Sequence, residues 1–356
     1  MKVLFTFFVP SGGVETLNRL RCAHLNRNGI EAHALYLRPA AGYQNASDFP
    51  VHILGEDAGI AALLRQQAYD AIIVTSDHNM LERLRRLGYG GTLIYEVQGL
   101  GTKKEAEEYI VAVSSYLKAY ADAVLLPPTD HLFQLFLTVC PWLHRYIIPN
   151  LVDLETFQYI PGERPQDPVA GWVGRLEANK NWREYLKICH LLRRSKPNLH
   201  LWMFHDPLLA TGEERAAFDE ELHRLGLQDR LNVFTHIPNT QMAGYYSRIA
   251  DSGGLLLSTS VTEGFGYAVA EALCCTCPVV STDSDGVRAF IVHDGTGKFY
   301  PLGSPESGAA AALELMDNPA LRQAVRMQGR AHMASQFGAA GYAKSFREML
   351  NSFGIF

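Results

Sequence analysis

The run Leu255–Pro278, LLLSTSVTEGFGYAVAEALCCTCP, restricts the fold more than any other stretch of the chain. Leu255–Leu257 is a short apolar segment that predicts a buried strand, and the polar Ser258–Thr262 predicts a loop. Glu263-Gly264-Phe265-Gly266 then reads as a turn, and Tyr267–Cys275 as an apolar helix stopped ahead of Pro278. The open amides and the dipole of a helix start favour an anion, and glycine lets a ligand come close to the main chain. Two carboxylates frame this strand–glycine turn–helix unit. Glu263 stands at the loop tip. Glu271 lies inside Ala-Val-Ala-Glu-Ala-Leu, where a charge is costly unless something hydrogen-bonds it. A sugar diol suits it, because a carboxylate only accepts and a diol donates twice. A wet helix face or a neighbouring backbone would satisfy it as well.

At 356 residues the chain is long enough for two domains. Its 47% hydrophobic and 19% charged content suits a soluble globular protein with substantial cores. A net charge of −5 excludes general affinity for nucleic acid, so any phosphate site must be local. The six cysteines show no secreted-framework spacing. Cys274–Cys277 is formally C-x-x-C, but it closes an apolar helix and reads as buried thiols rather than a metal or redox site. Met1–Phe8 is too short an apolar run for a signal peptide, and no run of about 18 apolar residues is present. The expected location is cytoplasmic.

Strand and helix signals alternate along the chain. Val3–Val9 predicts a first strand, Pro10–Glu15 a glycine turn with Gly12-Gly13, and Thr16–Asn28 a helix. Ile30–Leu37, Ala71–Thr75, Thr92–Val97 and Ala123–Leu126 continue the strands of a doubly wound parallel sheet. Tyr159–Pro168, with three prolines and a glycine, reads as an interdomain linker. A second series then starts with Val169–Val173 and runs through Leu199–Phe204, Leu231–Phe234, the glutamate unit and Val279–Thr282. The chain ends in a helical tail, Pro305–Phe353, broken near Gly338–Gly341. The expected domains are 1–158, joined by 340–356, and 168–339.

Ligands of open parallel sheets bind outside the carboxyl ends of the strands. In the second series those ends carry Gly174-Arg175 with Lys180, His205-Asp206, the glutamate unit and Asp283-Ser284-Asp285-Gly286. Arg175 can fork onto phosphate oxygens, and Lys180 supplies a compact charge. A diphosphate at the helix start near Gly266, with Glu271 on a ribose, is chemically coherent. Asp283-Ser284-Asp285 spells D-x-D, but turn chemistry ahead of Gly286 is the better account. Trp172 and Trp202 lie in strand segments and read as core.

This constellation resembles the GT-B glycosyltransferases, and within them retaining family four, the glycosyl transferases group 1. The pieces are Pro10–Glu15, Ile148-Pro149-Asn150-Leu151-Val152-Asp153, Gly174–Lys180 and the E-x7-E motif Glu263–Glu271. The resemblance spans nearly the whole chain. It implies two Rossmann-like domains with parallel sheets facing across a cleft, an N-terminal acceptor domain, a C-terminal donor domain, and a last helix crossing back to the first.

It also implies retaining transfer of a hexose from a UDP- or GDP-type sugar, without a cofactor or a required metal, in polysaccharide or glycoconjugate biosynthesis. The implied catalytic residues are Arg175, Lys180 and Glu263. The implied donor contacts are Gly12, Gly13, Gly174, Gly264, Phe265, Gly266, Tyr267 and Glu271. The acceptor is open, whether saccharide, lipid-linked or small molecule, with loops Arg38–Asp48 and Gln98–Glu108 as its expected contacts. The three basic side chains Arg19, Arg21 and Arg27 give only weak support for docking on a membrane surface. Where many relatives have a histidine after the strand Ile94–Val97, this chain has Gln98, with His78 one strand earlier. A nucleotide-sugar epimerase of the same architecture, using Asp77-His78 and His205-Asp206, and a non-catalytic coat or interaction protein are the competing readings.

Overall fold

The computed structural model describes residues 1–40, 47–101, 103–205 and 210–356. The sequence readings that fall on 41–46, on Thr102 and on Asp206-Pro207 lie outside these residues. The chain divides into two compact units, Met1–Val152 with Phe337–Phe356, and Asp153–Gln336.

The first unit alternates β1 (Lys2–Phe7), α1 (Gly12–Arg27), β2 (Glu31–Tyr36), β3 (Val51–Ile53), α2 (Asp57–Gln67), β4 (Ala71–Thr75), α3 (His78–Arg86), β5 (Thr92–Glu96), α4 (Lys103–Tyr120), β6 (Ala123–Leu126), α5 (Asp130–Val139) and β7 (His144–Ile147). Its strands form a parallel sheet of order β3-β2-β1-β4-β5-β6-β7. The central strands are apolar on both faces because helices cover both. Leu4, Ile72 and Val74 enter one core, with α2 to α5. Val3, Phe5 and Ile73 enter the other, with α1 and the chain's last helix.

A charge pair sits in this second core. Arg21 and Glu96 are fully buried and bonded twice, at 2.5 and 2.8 Å. The Thr75 hydroxyl donates to Glu96 at 2.6 Å, and the Arg21 guanidinium lies 3.8 Å over the Phe5 ring. Burial opposes the Arg21 charge, but Glu96 more than restores it, so its pKa lies above the ordinary value. Gln98 continues the network outward. Its amide donates to Glu96 at 3.0 Å and accepts from Asn150 at 2.6 Å.

The second unit contains β8 (Val169–Val173), α6 (Trp182–Ser195), β9 (His200–Phe204), α7 (Gly212–Arg224), β10 (Leu231–Phe234), α8 (Met242–Asp251), β11 (Leu255–Ser258), α9 (Tyr267–Cys274), β12 (Val279–Thr282), β13 (Lys298–Tyr300), α10 (Pro305–Asp317) and α11 (Pro319–Gln336). Its parallel sheet has the order β10-β9-β8-β11-β12-β13. Trp172, Trp182, Tyr185, Leu201, Met203, Leu257 and Val280 lie in its main core. The last helix, α12 (Ala339–Ser352), belongs to the first unit. There Phe346 packs 5.6 Å from Phe5 and stacks on Tyr342 at 5.8 Å.

Three local expectations change. The glycine turn before α1 is already helix: Gly12 takes φ +69 beside an extended Ser11, and Gly13 is helical. The long tail is three helices, because Pro319 opens a new one as readily as it ends the last. The segment read as a linker is fastened to the second unit, with Tyr159 Oη donating to Asp251 at 2.8 Å and the Ile160 amide to Ser247 at 3.0 Å.

Candidate functional site

In the second unit β8, β11 and β12 are sheet neighbours running the same way, so the loops that leave their carboxyl ends meet. Asn179, in the loop after β8, fastens two of them. Its carbonyl accepts from the Val261 amide at 2.8 Å, and its side chain accepts from the amide and hydroxyl of Thr262 at 3.1 and 3.0 Å. Thr259 donates to the Lys180 carbonyl at 2.9 Å and accepts from Trp172 Nε1 at 3.1 Å. The third loop joins through the main chain, the Glu263 amide donating to Ser284 at 2.8 Å and the Gly286 amide to Glu263 at 3.0 Å.

This framework puts Lys180 against Glu263. The ammonium lies 2.5 Å from Glu263 Oε1, to which the Ser260 hydroxyl also donates at 2.6 Å. Both charged side chains are mostly shielded, at 22% and 15% exposure. Arg175 points elsewhere in this conformation. It is 58% exposed and pairs with Glu177 at 3.0 Å. Gly174 is needed for close packing, since a Cβ there would stand 2.9 Å from the Trp172 ring and 3.2 Å from the Lys180 side chain.

Gly264 and Phe265 complete the loop, and Phe265 is buried edge-on to Phe290 at 5.2 Å. Gly266 caps α9 with φ +90, a conformation closed to most side chains, and a Cβ there would meet Val287 at 2.8 Å. The first bonds inside α9 run from the Val269 and Ala270 amides to the Gly266 carbonyl. Amides ahead of a helix's first internal bond point outward along its axis. Tyr267 opens this turn beside Phe265 at 4.8 Å.

One turn further on, Glu271 is 5% exposed. The Tyr246 hydroxyl donates to it at 3.2 Å and the Asn239 amide at 3.4 Å, which answers the cost of a carboxylate on this apolar helix. Burial, reinforced by Glu271, holds the Tyr246 phenol well above its ordinary pKa, so it stays a donor. Sequence patterns did not single out Tyr246, Asn239, Asn179 or Ser260. Tyr246, Asn239 and Asn179 are ordinary polar or aromatic residues whose partners are distant in the chain, and Ser260 is one hydroxyl among several in a polar loop.

Gly12 and Gly13 form the first turn of α1 in the first unit. Asp283 is clasped by Arg288 at 2.6 and 2.7 Å, and Asp285 bridges to the Glu263 main chain. His78 contacts Tyr109 at 3.1 Å, and Asp77 caps α3 through the Met80 amide. His205 follows β9 and packs against Phe218 at 6.1 Å. All six cysteines are buried and free, and burial pushes Cys274 and Cys277 up to about 12, which leaves both as neutral thiols. Among the described residues no helix is long and apolar enough to cross a membrane.

The family model described as glycosyl transferases group 1 matches residues 155–332, half of the chain and nearly all of the second unit. A D-inositol 3-phosphate glycosyltransferase of Kineococcus radiotolerans is 28% identical over 224 residues, 57% of this chain and 50% of that one. The chain thus matches about half the length of that relative. Sucrose-phosphate synthase from Thermosynechococcus elongatus superposes with a TM-score of 0.83 at 17% identity, over 99% of both chains. Anabaena Alr3699/HepE in complex with UDP-glucose superposes with a TM-score of 0.80 at 16% identity, over 99% of this chain and 100% of that one. The fold is therefore GT-B.

Proposed function

The chain belongs to the glycosyl transferases group 1 family, and from that premise we propose that it moves a sugar from a nucleoside-diphosphate sugar to an acceptor, with retention at the anomeric carbon. The observation that carries this reading is the convergence of Lys180, Glu263, the start of α9 and Glu271 on one edge of one sheet. HepE, of the same fold, has been crystallised with UDP-glucose, which makes a UDP-sugar the first donor to test and a GDP-sugar the second.

In this reading the diphosphate lies at the start of α9, against the main chain of Gly264, Phe265, Gly266 and Tyr267. Lys180 supplies the fixed charge. Arg175, exposed on its loop beside Gly174, exchanges Glu177 for a phosphate oxygen. Glu271, which accepts from Tyr246 and Asn239, also accepts from a ribose diol in this reading. Gly12 and Gly13 are proposed as diphosphate contacts from the resemblance alone.

A departing nucleoside diphosphate gains negative charge as the sugar gains positive charge. Cations and amides aimed at the phosphate therefore stabilise the transition state more than the ground state. Glu263 stands beside Lys180, where its carboxylate can face the electron-poor sugar carbon. Retention follows if the acceptor attacks on the face the diphosphate leaves, with a phosphate oxygen taking the acceptor proton, so that no protein base is needed. The side chains supply the countercharge, and turnover is expected to survive EDTA. The acceptor is assigned to the first unit, through loops 38–48 and 98–108.

Purified protein incubated with UDP-glucose or GDP-mannose and an acceptor mixture should release UDP or GDP and give an α-linked product by proton NMR. Inversion of the linkage would overturn the retaining mechanism. Failure of both nucleotides to raise the melting temperature would overturn the donor assignment.

A further inference from the structure

The second unit also carries an open groove of about 500 Å³ that the reaction above does not use. It lies over the β9–β10 edge of the sheet, on the face opposite the core that Leu201 and Met203 enter. Trp202 and Phe204 of β9 stand on this face, next to their register partners Asn232 and Phe234 of β10. α8 packs on β8 and β11 and contributes Tyr245 and Arg248.

Three aromatic rings meet in the groove. Trp202 is edge-on to Phe234 at 5.3 Å and to Tyr245 at 6.0 Å, and Phe234 lies 5.0 Å from Tyr245. Trp202 is a deep floor, 8% exposed, while Phe234 and Tyr245 are only half-buried. Planar polar groups surround them: the Asp167 carboxylate, the Asn232 amide and the Arg248 guanidinium, which lies 5.1 Å over Trp202. Arg248 Nε is buried and has no hydrogen-bond partner among the described residues.

This lining selects a ligand class. Asp167, with His200 3.7 Å away, and the one guanidinium give the groove no excess of fixed positive charge, which disfavours a phosphate or a polyanion. A lipid chain would leave the Asn232 amide and the Arg248 guanidinium unpaired. A saccharide meets both demands, with C–H faces for the aromatic rings and hydroxyls that donate and accept at the planar groups. The volume falls within the usual range for small-ligand sites, roughly 300–1,000 Å³. We propose that this groove binds a neutral glycan, the growing acceptor or product, away from the loops that hold the donor. The proposal rests on the transferase reading, which supplies the saccharide.

The test is binding of the full chain to an array of immobilised neutral di- to hexasaccharides, with saturating UDP present. Wild type should retain at least one glycan, and binding should quench or shift tryptophan emission. Asn232→Ala and Arg248→Ala should each weaken retention about tenfold, the scale of one hydrogen bond to a charged or planar group. Their UDP-induced thermal shifts should match wild type, which shows that they are folded. No retained glycan, or retention by both variants equal to that of wild type, overturns the groove. Absence of a thermal shift with either UDP or GDP in wild type, with glycan binding intact, overturns the transferase reading and leaves the groove standing.

Discussion

Lys180 meets a carboxylate before it meets any phosphate, and that pairing sets what its replacement does. Lys180→Ala should leave the fold intact and lower kcat by about 10²–10³, the loss seen when one preorganised charge or donor leaves a transition state. Arg175→Ala should also fall mainly on kcat, because an exposed side chain paired with Glu177 contributes little to stability. Glu263→Gln should part binding from turnover. Relieving Lys180 of its partner should tighten UDP binding about fivefold, roughly 1 kcal/mol for a partly shielded pair, while turnover drops. Calorimetry and initial rates on the same variant check both halves, and weaker UDP binding by Glu263→Gln would count against a shared lysine. The competition itself was not legible in the sequence. Both residues were, but their contact depends on Asn179 and Thr259 lashing together loops 83 and 79 residues apart.

At the scale of elements, the E-x7-E unit was readable because its parts are local: a short strand, a glycine with φ +90 and an eight-residue apolar helix. The first turn of α1 and the split tail were harder, since glycine and proline mark helix starts as well as breaks. The edge strands β3, β7 and β13 are three or four residues long and make no periodic signal. Gly266→Ala should destabilise by at least about 1 kcal/mol and abolish nucleotide stabilisation, because the new Cβ meets Val287 in an unfavourable backbone region.

The edge formed by β2 and β3 gives a pH prediction. His33 is buried, bonded to Tyr69 at 2.8 Å and Glu31 at 3.1 Å, and lies 5.6 Å from the His52 ring. Burial lowers the pKa of both histidines in the fold. Their unfolded forms therefore take up protons first. Stability should be complete above the ordinary histidine value near 6.5 and fall as pH drops through it. His52→Gln should flatten that acid limb in a urea titration series; an unchanged limb would remove the two histidines as its cause.

Over the whole molecule, the chain closes its first unit with its own end. Phe346, Met349 and Leu350 of α12 are almost fully buried there, and each such side chain is worth roughly 1.5–3 kcal/mol. Removing residues 337–356 should cost most of an ordinary domain's stability of about 5–15 kcal/mol, and give an aggregating product with a lost or broadened melting transition. The broad architecture followed from the alternation of strand and helix signals and from the motif order. The route of Asp153–Pro168 did not, because proline and charge mark a bound segment and a free linker alike. The central claim, a nucleoside diphosphate held by the carboxyl-edge loops of the second unit with Glu271 on its ribose, is tested most directly by calorimetric titration of UDP, GDP and ADP into wild type, Glu271→Ala and Lys180→Ala. The account predicts that one nucleotide binds wild type, at least about tenfold more weakly to Glu271→Ala, and again more weakly to Lys180→Ala. Binding of that nucleotide with the same affinity to all three proteins would contradict it, as would no binding at all.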